Sequence, residues 1–216
     1  MSADPYYSRT ECSNSDLSEL KKLLMPAQYE FDYSDALRMG TLVDAFITEI
    51  EKVNVYKRTI EEYSYTEAEM QLARDMKRSF YKDQTCAAFM KLAECQKVSV
   101  KEVEFEYCGT KFKILMRCRW DLFMKSLKMG ADIKSTTATT QKQFEEACLY
   151  FDYYRSRVIY MLLEGTSKDM LIGISKINKK IFKIPIVMGD EKWQLGLKSA
   201  TEFAFQYWLN FENFTI

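Results

Sequence analysis

The sequence predicts a single α/β domain, a small central mixed β-sheet flanked by helices, and three observations carry that reading. Stretches with apolar residues every three or four positions alternate with stretches of period two. Cap and turn residues fall at the junctions between them. The 216 residues are enough to bury one proper core. Residues 1–12 read as an irregular N-terminal segment and residues 13–216 as the domain.

The elements follow in order. Ser13 or Ser15 can N-cap a short helix that runs to about Leu24 and ends before Pro26. Ser34 or Asp35 caps a second helix through about Val53, with Ala36, Met39, Val43, Phe46, Ile47 and Ile50 as its buried stripe. Residues 66–96 form one or two helices with a break near Lys82-Asp83-Gln84. Val103 to Tyr107 alternates as a strand, and Cys108-Gly109-Thr110 turns it into a strand from Phe112 to Asp121. A Lys/Ser/Met/Gly turn leads to the strand Ala131–Thr136. Thr139 or Thr140 starts one long helix ending at Gly165, its core stripe marked by Phe144, Ala147, Cys148, Phe151, Val158, Ile159 and Leu162. Isoleucines 172 to 186, interleaved with lysines, read as one or two strands with a basic turn. A closing helix from Lys192 to Phe214 brings Trp193, Leu195, Phe203, Phe205, Trp208 and Leu209 to bury.

Composition narrows the function classes. Hydrophobic content of 47% and charged content of 29% suit a soluble globular protein. No apolar run approaches the length of a membrane span, and the polar N-terminus is no signal peptide, so a cytoplasmic location is expected. Six cysteines without a C-x-x-C pair argue against a zinc ribbon and read as reduced thiols. The 31 basic residues balance 31 acidic ones, which excludes a generally basic nucleic-acid binder but not a local groove. Positive charge gathers at Lys111, Lys113, Arg117, Arg119, Lys125 and Lys128, and again at Lys176, Lys179, Lys180 and Lys183. The second group either tracks a phosphate backbone or is a solvated strand edge.

The chemistry concentrates on Asp121, Asp132 eleven residues later, and Lys134. Alternation puts Asp132 and Lys134 on one face while Ile133 points into a core. It sets Asp121 with Arg117 and Arg119, opposite Phe112, Ile114, Met116, Cys118 and Trp120. If the two strands pair as a hairpin, two carboxylates and an ammonium converge at one end of a sheet. That set can hold Mg²⁺ or Mn²⁺ beside a phosphate, because Mg²⁺ prefers oxygen ligands and usually takes one or two carboxylates. Such a metal polarises a phosphoryl oxygen and acidifies a bound water, while Lys134 orients that water or offsets developing charge. Asp-x-Lys alone fits a solvated surface hairpin equally well. Asp44, a carboxylate on a largely apolar helix, is either a metal ligand or exposed to water. Arg155 and Arg157, flanking Ser156, contact a phosphate or line a solvated helix face.

In their order along residues 12–160, several stretches resemble the PD-(D/E)XK nuclease superfamily, and within it the RecE/RecB-type phage exonucleases. Cys12-Ser-Asn-Ser-Asp-Leu-Ser-Glu-Leu20 is similar to the opening helix of RecE-like domains. Gly40-Thr-Leu-Val-Asp44 resembles the Gly-x-x-x-His helix, Arg119-Trp120-Asp121 the Arg-x-Asp strand, and Asp132-Ile133-Lys134-Ser135-Thr136 the Asp-x-Lys-Thr signature. Tyr153 to Tyr160 resembles the Tyr-x-x-Gln-x-x-x-Tyr segment. The resemblance implies a restriction-endonuclease-like core with Asp121, Asp132 and the Ile133 carbonyl as metal ligands and Asp44 completing the shell. Lys134 then positions or activates the attacking water. Arg119, Arg155, Ser156 and Tyr160 are the substrate-binding candidates. The cofactor implied is Mg²⁺, with Mn²⁺ substituting. The implied activity is double-stranded DNA exonuclease in phage or bacterial recombination, with DNA ends as substrate, a recombinase partner, a homo-oligomer and no membrane association. Two departures stand out: the chain has no histidine, so Asp44 fills that position, and Ser156 stands where the family has glutamine. A non-catalytic DNA- or partner-binding module on the same fold is the alternative, and an endonuclease the third.

Overall fold

Side-chain caps set where most helices begin. The computed structural model describes residues 5–26 and 32–212 and opens with α1 (Asn14–Leu24), capped by Ser13 in a reciprocal box with Asp16. In α2 (Ser34–Thr48), Tyr33 holds the cap position without a side-chain bond, so neither Ser34 nor Asp35 caps it. The helix ends five residues short of Val53 and gives way to a single 3-10 turn, Ile50–Lys52. Because α2 lies between the sheet and a following helix, its buried face is wider than one stripe. Leu42 and Ala45 are inside, whereas Ala36 is exposed and Ile50, past the helix end, is 46% exposed. Two short strands, β1 (Thr59–Ile60) and β2 (Tyr63–Ser64), form a small hairpin. Thr66 and Glu69 box the start of α3 (Glu67–Lys82), and Asp83 caps α4 (Gln84–Leu92) by accepting from the Cys86 N–H. The expected break therefore falls at Asp83.

The sheet has five strands, β3 (Glu94–Tyr107), β4 (Thr110–Met124), β5 (Met129–Thr136), β6 (Lys168–Ser175) and β7 (Ile181–Val187), ordered as numbered. Only β5 and β6 run parallel, so the sheet is mixed as expected. Cys108 and Gly109 both take positive φ, 50° and 78°, which is the two-residue turn that matches strand twist. β3 begins nine residues before Val103, because its first half is an edge strand whose alternating Val98 and Val100 are exposed and out of phase with the buried Val103 and Phe105.

The parallel pair needs a crossover, and here the expected single helix is two. α5 (Gln141–Tyr150) and α6 (Tyr153–Glu164) meet at Asp152, whose φ of 57° is left-handed. Aspartate tolerates that conformation better than most residues. Its Oδ2 is gripped by Lys21 Nζ at 3.0 Å, Ser199 Oγ at 2.7 Å and Arg155 Nη1 at 3.1 Å. Phe151, expected inside, is consequently 44% exposed. Asp190 caps α7 (Glu191–Tyr207), and a π-turn, Trp208–Glu212, follows. Positions 213 and 214 of the expected closing helix lie outside the described residues.

Helices α2, α3 and α4 cover one sheet face around Leu122, Ile133, Ile172 and Ile174. The other face packs Ile114, Met116, Trp120 and Phe123 beneath α6 and α7, with α5 closing over β6 and β7 through Phe144 and Phe182. Along most of its length β4 lacks β5 as a neighbour, and the N-terminal segment fills that edge. Cys12 donates to the Leu115 carbonyl at 3.0 Å and accepts from the Arg117 N–H at 2.7 Å. Arg117, expected on an open face beside Asp121, is instead buried and donates to the carbonyls of Arg9 and Glu11. Lys183 of the basic turn region is bound to Asp83 at 2.7 Å. The six cysteines are all unpaired. Among the described residues no helix is long and apolar enough to cross a membrane.

Candidate active site

Strands β4 and β5 pair only from Leu122–Met124 to Met129–Ala131 and then diverge. At the divergence Asp121 Oδ2 accepts from the Ile133 N–H at 2.7 Å, so a side chain stands where a strand carbonyl would otherwise be. On the other side of β4 the ladder skips the pair Gln96–Asp121 as well, and Gln96 takes a left-handed φ of 53°. Backbone strain of this kind concentrates at functional positions. Gln96 donates its amide to Asp44 Oδ2 at 3.1 Å and to Thr48 Oγ1 at 3.0 Å, and Thr48 lies 3.2 Å from Asp44 Oδ1. One interruption in the sheet thus brings Asp44 of α2 to Asp121.

Asp132 is held from two sides, with Oδ2 2.7 Å from Lys134 Nζ and Oδ1 2.7 Å from Arg157 Nη1. Arg157 also donates from Nε to Asp169 Oδ2 at 3.2 Å, and Arg157 and Asp169 are both fully buried. The Arg157 guanidinium lies 4.1 Å from the Tyr160 ring centroid and 5.1 Å from that of Trp120. Lys134 Nζ sits 5.1 Å over the Tyr153 ring.

Burial pushes the Asp121 carboxyl well above the usual carboxylate range, and the charges of Asp44 and Asp132 push the same way. Burial likewise raises Asp44 to about 6. Asp132 feels the same desolvation, but Lys134 and Arg157 outweigh it and hold the carboxyl below its ordinary value. Asp169 rises to about 6 through burial that Arg157 only partly offsets. Burial works against the Lys134 charge, yet Asp132 and Asp121 prevail and keep it an ammonium.

Residues 5–208 match the family described as a PDDEXK-like domain of unknown function (DUF3799). The chain belongs to this family. No curated protein matches it. A provisionally named exonuclease from Eubacterium rectale is similar in structure, with a TM-score of 0.52 and 17% identity over 93% of this chain and 74% of that one. A phage-related exonuclease from Haemophilus somnus 129PT gives a TM-score of 0.40 and 12% identity over 88% of this chain and 92% of that one.

Within this PDDEXK-like domain the structure brings together Asp44, Asp121, Asp132, Lys134 and the Ile133 backbone. It sets other substrate candidates apart. Arg155 is buried, donating to Asn14 and Ser18 and ion-paired with Asp152, and Ser156 donates to the Tyr153 carbonyl at 2.8 Å. Tyr160 reaches the cluster through Arg157, which covers its ring. Arg119 faces Tyr6 and Tyr7 of the N-terminal segment and lines a cavity of about 310 Å³ that Gln96 also lines. Arg157 is neither a phosphate contact on the surface nor a solvated helix residue but the buried partner of two aspartates. The signal for it was Asp169, an acid on an apolar strand that needs a cation to be buried.

PDDEXK nucleases generally use divalent metal ions. The donor set here fits one on charge and chemistry. Asp44, Asp121, Asp132 and Asp169 face Lys134 and Arg157, so four acids against two bases leave two negative charges when all are ionised. Hard carboxylate oxygens suit Mg²⁺ or Mn²⁺. Among the described residues no group of three or more His, Cys, Asp or Glu side chains is placed to hold a metal ion. The fit is therefore to a cation held by few carboxylates, with water and phosphate oxygens supplying the rest.

Proposed function

We propose that this PDDEXK-like domain is a metal-dependent deoxyribonuclease, an exonuclease that hydrolyses phosphodiester bonds at ends of double-stranded DNA in phage or bacterial recombination. The observation that carries the reading is the meeting of Asp121, Asp132 and Lys134, with Asp44, where β4 and β5 diverge. Asp121, Asp132 and the Ile133 carbonyl would hold Mg²⁺, Mn²⁺ would substitute for it, and Asp44 would complete the shell. The chemistry a cation would supply there is polarisation of the scissile phosphate and a more acidic water.

The remaining work falls to the chain. Lys134, 2.7 Å from Asp132, positions or activates the attacking water and offsets charge on the phosphate in the transition state. Arg157 holds Asp132 from the opposite oxygen, so the carboxylate is fixed before substrate arrives. Gln96 and Thr48 fix Asp44 in the same way. Arg119, beside the cavity at Gln96, contacts the substrate backbone. A recombinase partner, a homo-oligomer and a cytoplasmic location belong to the same reading.

End-labelled linear duplex DNA with Mg²⁺ or Mn²⁺, beside a Lys134→Ala control, tests it. Loss of label that requires both metal and Lys134 supports an exonuclease, and the labelled end reports polarity. Cleavage of closed circular DNA would make it an endonuclease instead. A second reading, a DNA-binding module that does not cut, is favoured by the two cations already bound to Asp132. DNA binding without cleavage by folded protein in either metal would replace the first reading with the second.

A further inference from the structure

Four aromatic rings form a continuous path from solvent to Lys134. Tyr153, whose face carries the Lys134 ammonium, stacks on Phe151 with centroids 5.5 Å apart and planes within 20°. Tyr150 meets Phe151 edge-on at 4.9 Å, and Tyr33 meets it edge-on at 6.0 Å. Tyr150 is 70% exposed, Phe151 44% and Tyr33 41%, so the outer rings are open to water while the inner one reaches the site.

The path is built, not incidental. An uninterrupted helix was expected to turn Phe151 into the core. The left-handed residue at Asp152 prevents that, and its carboxylate is clamped by groups from α1, α6 and α7. Such a residue normally costs about 1–3 kcal/mol. Here the surrounding structure maintains it, and the result is a pair of exposed rings held rigidly at one end of a charged cluster suited to phosphate chemistry.

We propose that Tyr150 and Phe151, the latter backed by Tyr153, form a stacking platform for the bases of a single DNA strand entering the site, with the phosphates passing toward Lys134. Every base presents a π-face, so the platform takes unpaired nucleotides, from a frayed end or an overhang, with little sequence preference. Charge beside the rings favours this occupant over an apolar protein surface, since Lys21 and Arg155 share the single carboxylate of Asp152 and leave one positive charge there. The inference rests on the nuclease reading and names the form of its substrate.

The test is binding of fluorescein-labelled oligodeoxythymidine by anisotropy in chelator, where no metal-dependent cleavage can occur. Base stacking is worth about 1–3 kcal/mol per ring, so Phe151→Leu should weaken binding about 5- to 150-fold. Adding Tyr150→Ala should weaken it by at least about 30-fold in total. Both positions are exposed, so melting temperature should stay near the wild-type value, and Phe151→Trp should restore affinity. Unchanged affinity in the double variant, full affinity in Phe151→Leu, or no single-strand binding by wild type would each overturn the platform. Cleavage of blunt duplex in Mg²⁺, measured separately, reports on the nuclease reading, so either idea can fail without the other.

Discussion

Replacing Arg157 with methionine removes a cation shared by two buried carboxylates while keeping much of its apolar stem volume. At an effective dielectric of about 20, contacts of 2.7 and 3.2 Å correspond to about 6 and 5 kcal/mol of attraction. Desolvation of several kcal/mol per ion opposes this, so the net value of the triad is far smaller than the sum. Removing one partner is different, because Asp132 and Asp169 then stay buried without their cation. Such losses run at about 3–5 kcal/mol, which for a domain of this size lowers the melting temperature by about 6–20 °C. Thermal unfolding in chelator at pH 7 measures it. Without the guanidinium the Asp169 carboxyl, already raised to about 6 in its presence, takes up a proton at still higher pH, so the deficit should shrink as pH falls toward 6 and this group should change it no further below that value. Arg157→Lys should recover only part of the loss, because one ammonium cannot span both acids as the guanidinium fork does. Combining Arg157→Met with Asp169→Asn should cost less than the sum of the single changes. A loss under about 1 kcal/mol, or strict additivity of the pair, would refute the idea that a buried charge network organises the site.

Asp121→Asn relieves a crowd of carboxylates yet keeps an oxygen for the Ile133 N–H; it should stabilise the metal-free protein by about 0.5–2 kcal/mol while abolishing cleavage. Melting curves and the labelled-duplex assay on one preparation check both halves, and a less stable variant would sink the argument. Gly196→Ala would set a methyl 2.4 Å from the Tyr154 carbonyl oxygen, where α7 crosses α6, and should cost about 1–3 kcal/mol in denaturant titration. The Arg38 hydrogen bond is the main reason Glu69 lies below its ordinary pKa, so the pair stabilises above the unfolded value and loses that contribution as pH falls through the folded one. The stability gap between wild type and Glu69→Gln should accordingly be about 1 kcal/mol at pH 7 and close below about pH 4.

Much of this architecture was legible in the chain. Ser13 and Thr140 among the expected caps, and Asp83 at the expected break, mark helix starts because a short acceptor side chain satisfies an N–H that the helix leaves open. Alternation from Phe112 to Trp120 identified the inward face of β4, and the spacing of Asp132 and Lys134 put them on one face, where they are found. The misreadings share a cause. Arg155, Arg157 and Arg117 look like surface cations because sequence spacing assigns a face but not what covers it, and all three are buried with partners.

Local periodicity and capping chemistry by themselves placed the main helices and strands in order and set Asp132 and Lys134 on one face; the resemblance, not the spacing, singled out Asp121, Asp132 and Lys134 as a set. Those signals lie within a few residues of one another and are read by the backbone's own repeat. Only the tertiary structure decided that β4 and β5 diverge at Asp121, that Gln96 turns left-handed toward Asp44, and that Asp152 breaks the crossover helix. Each depends on partners brought from far along the chain, 52 residues for Gln96 to Asp44 and 131 for Asp152 to Lys21. A buried charge is tolerable only where such a partner arrives, and no local pattern announces its arrival.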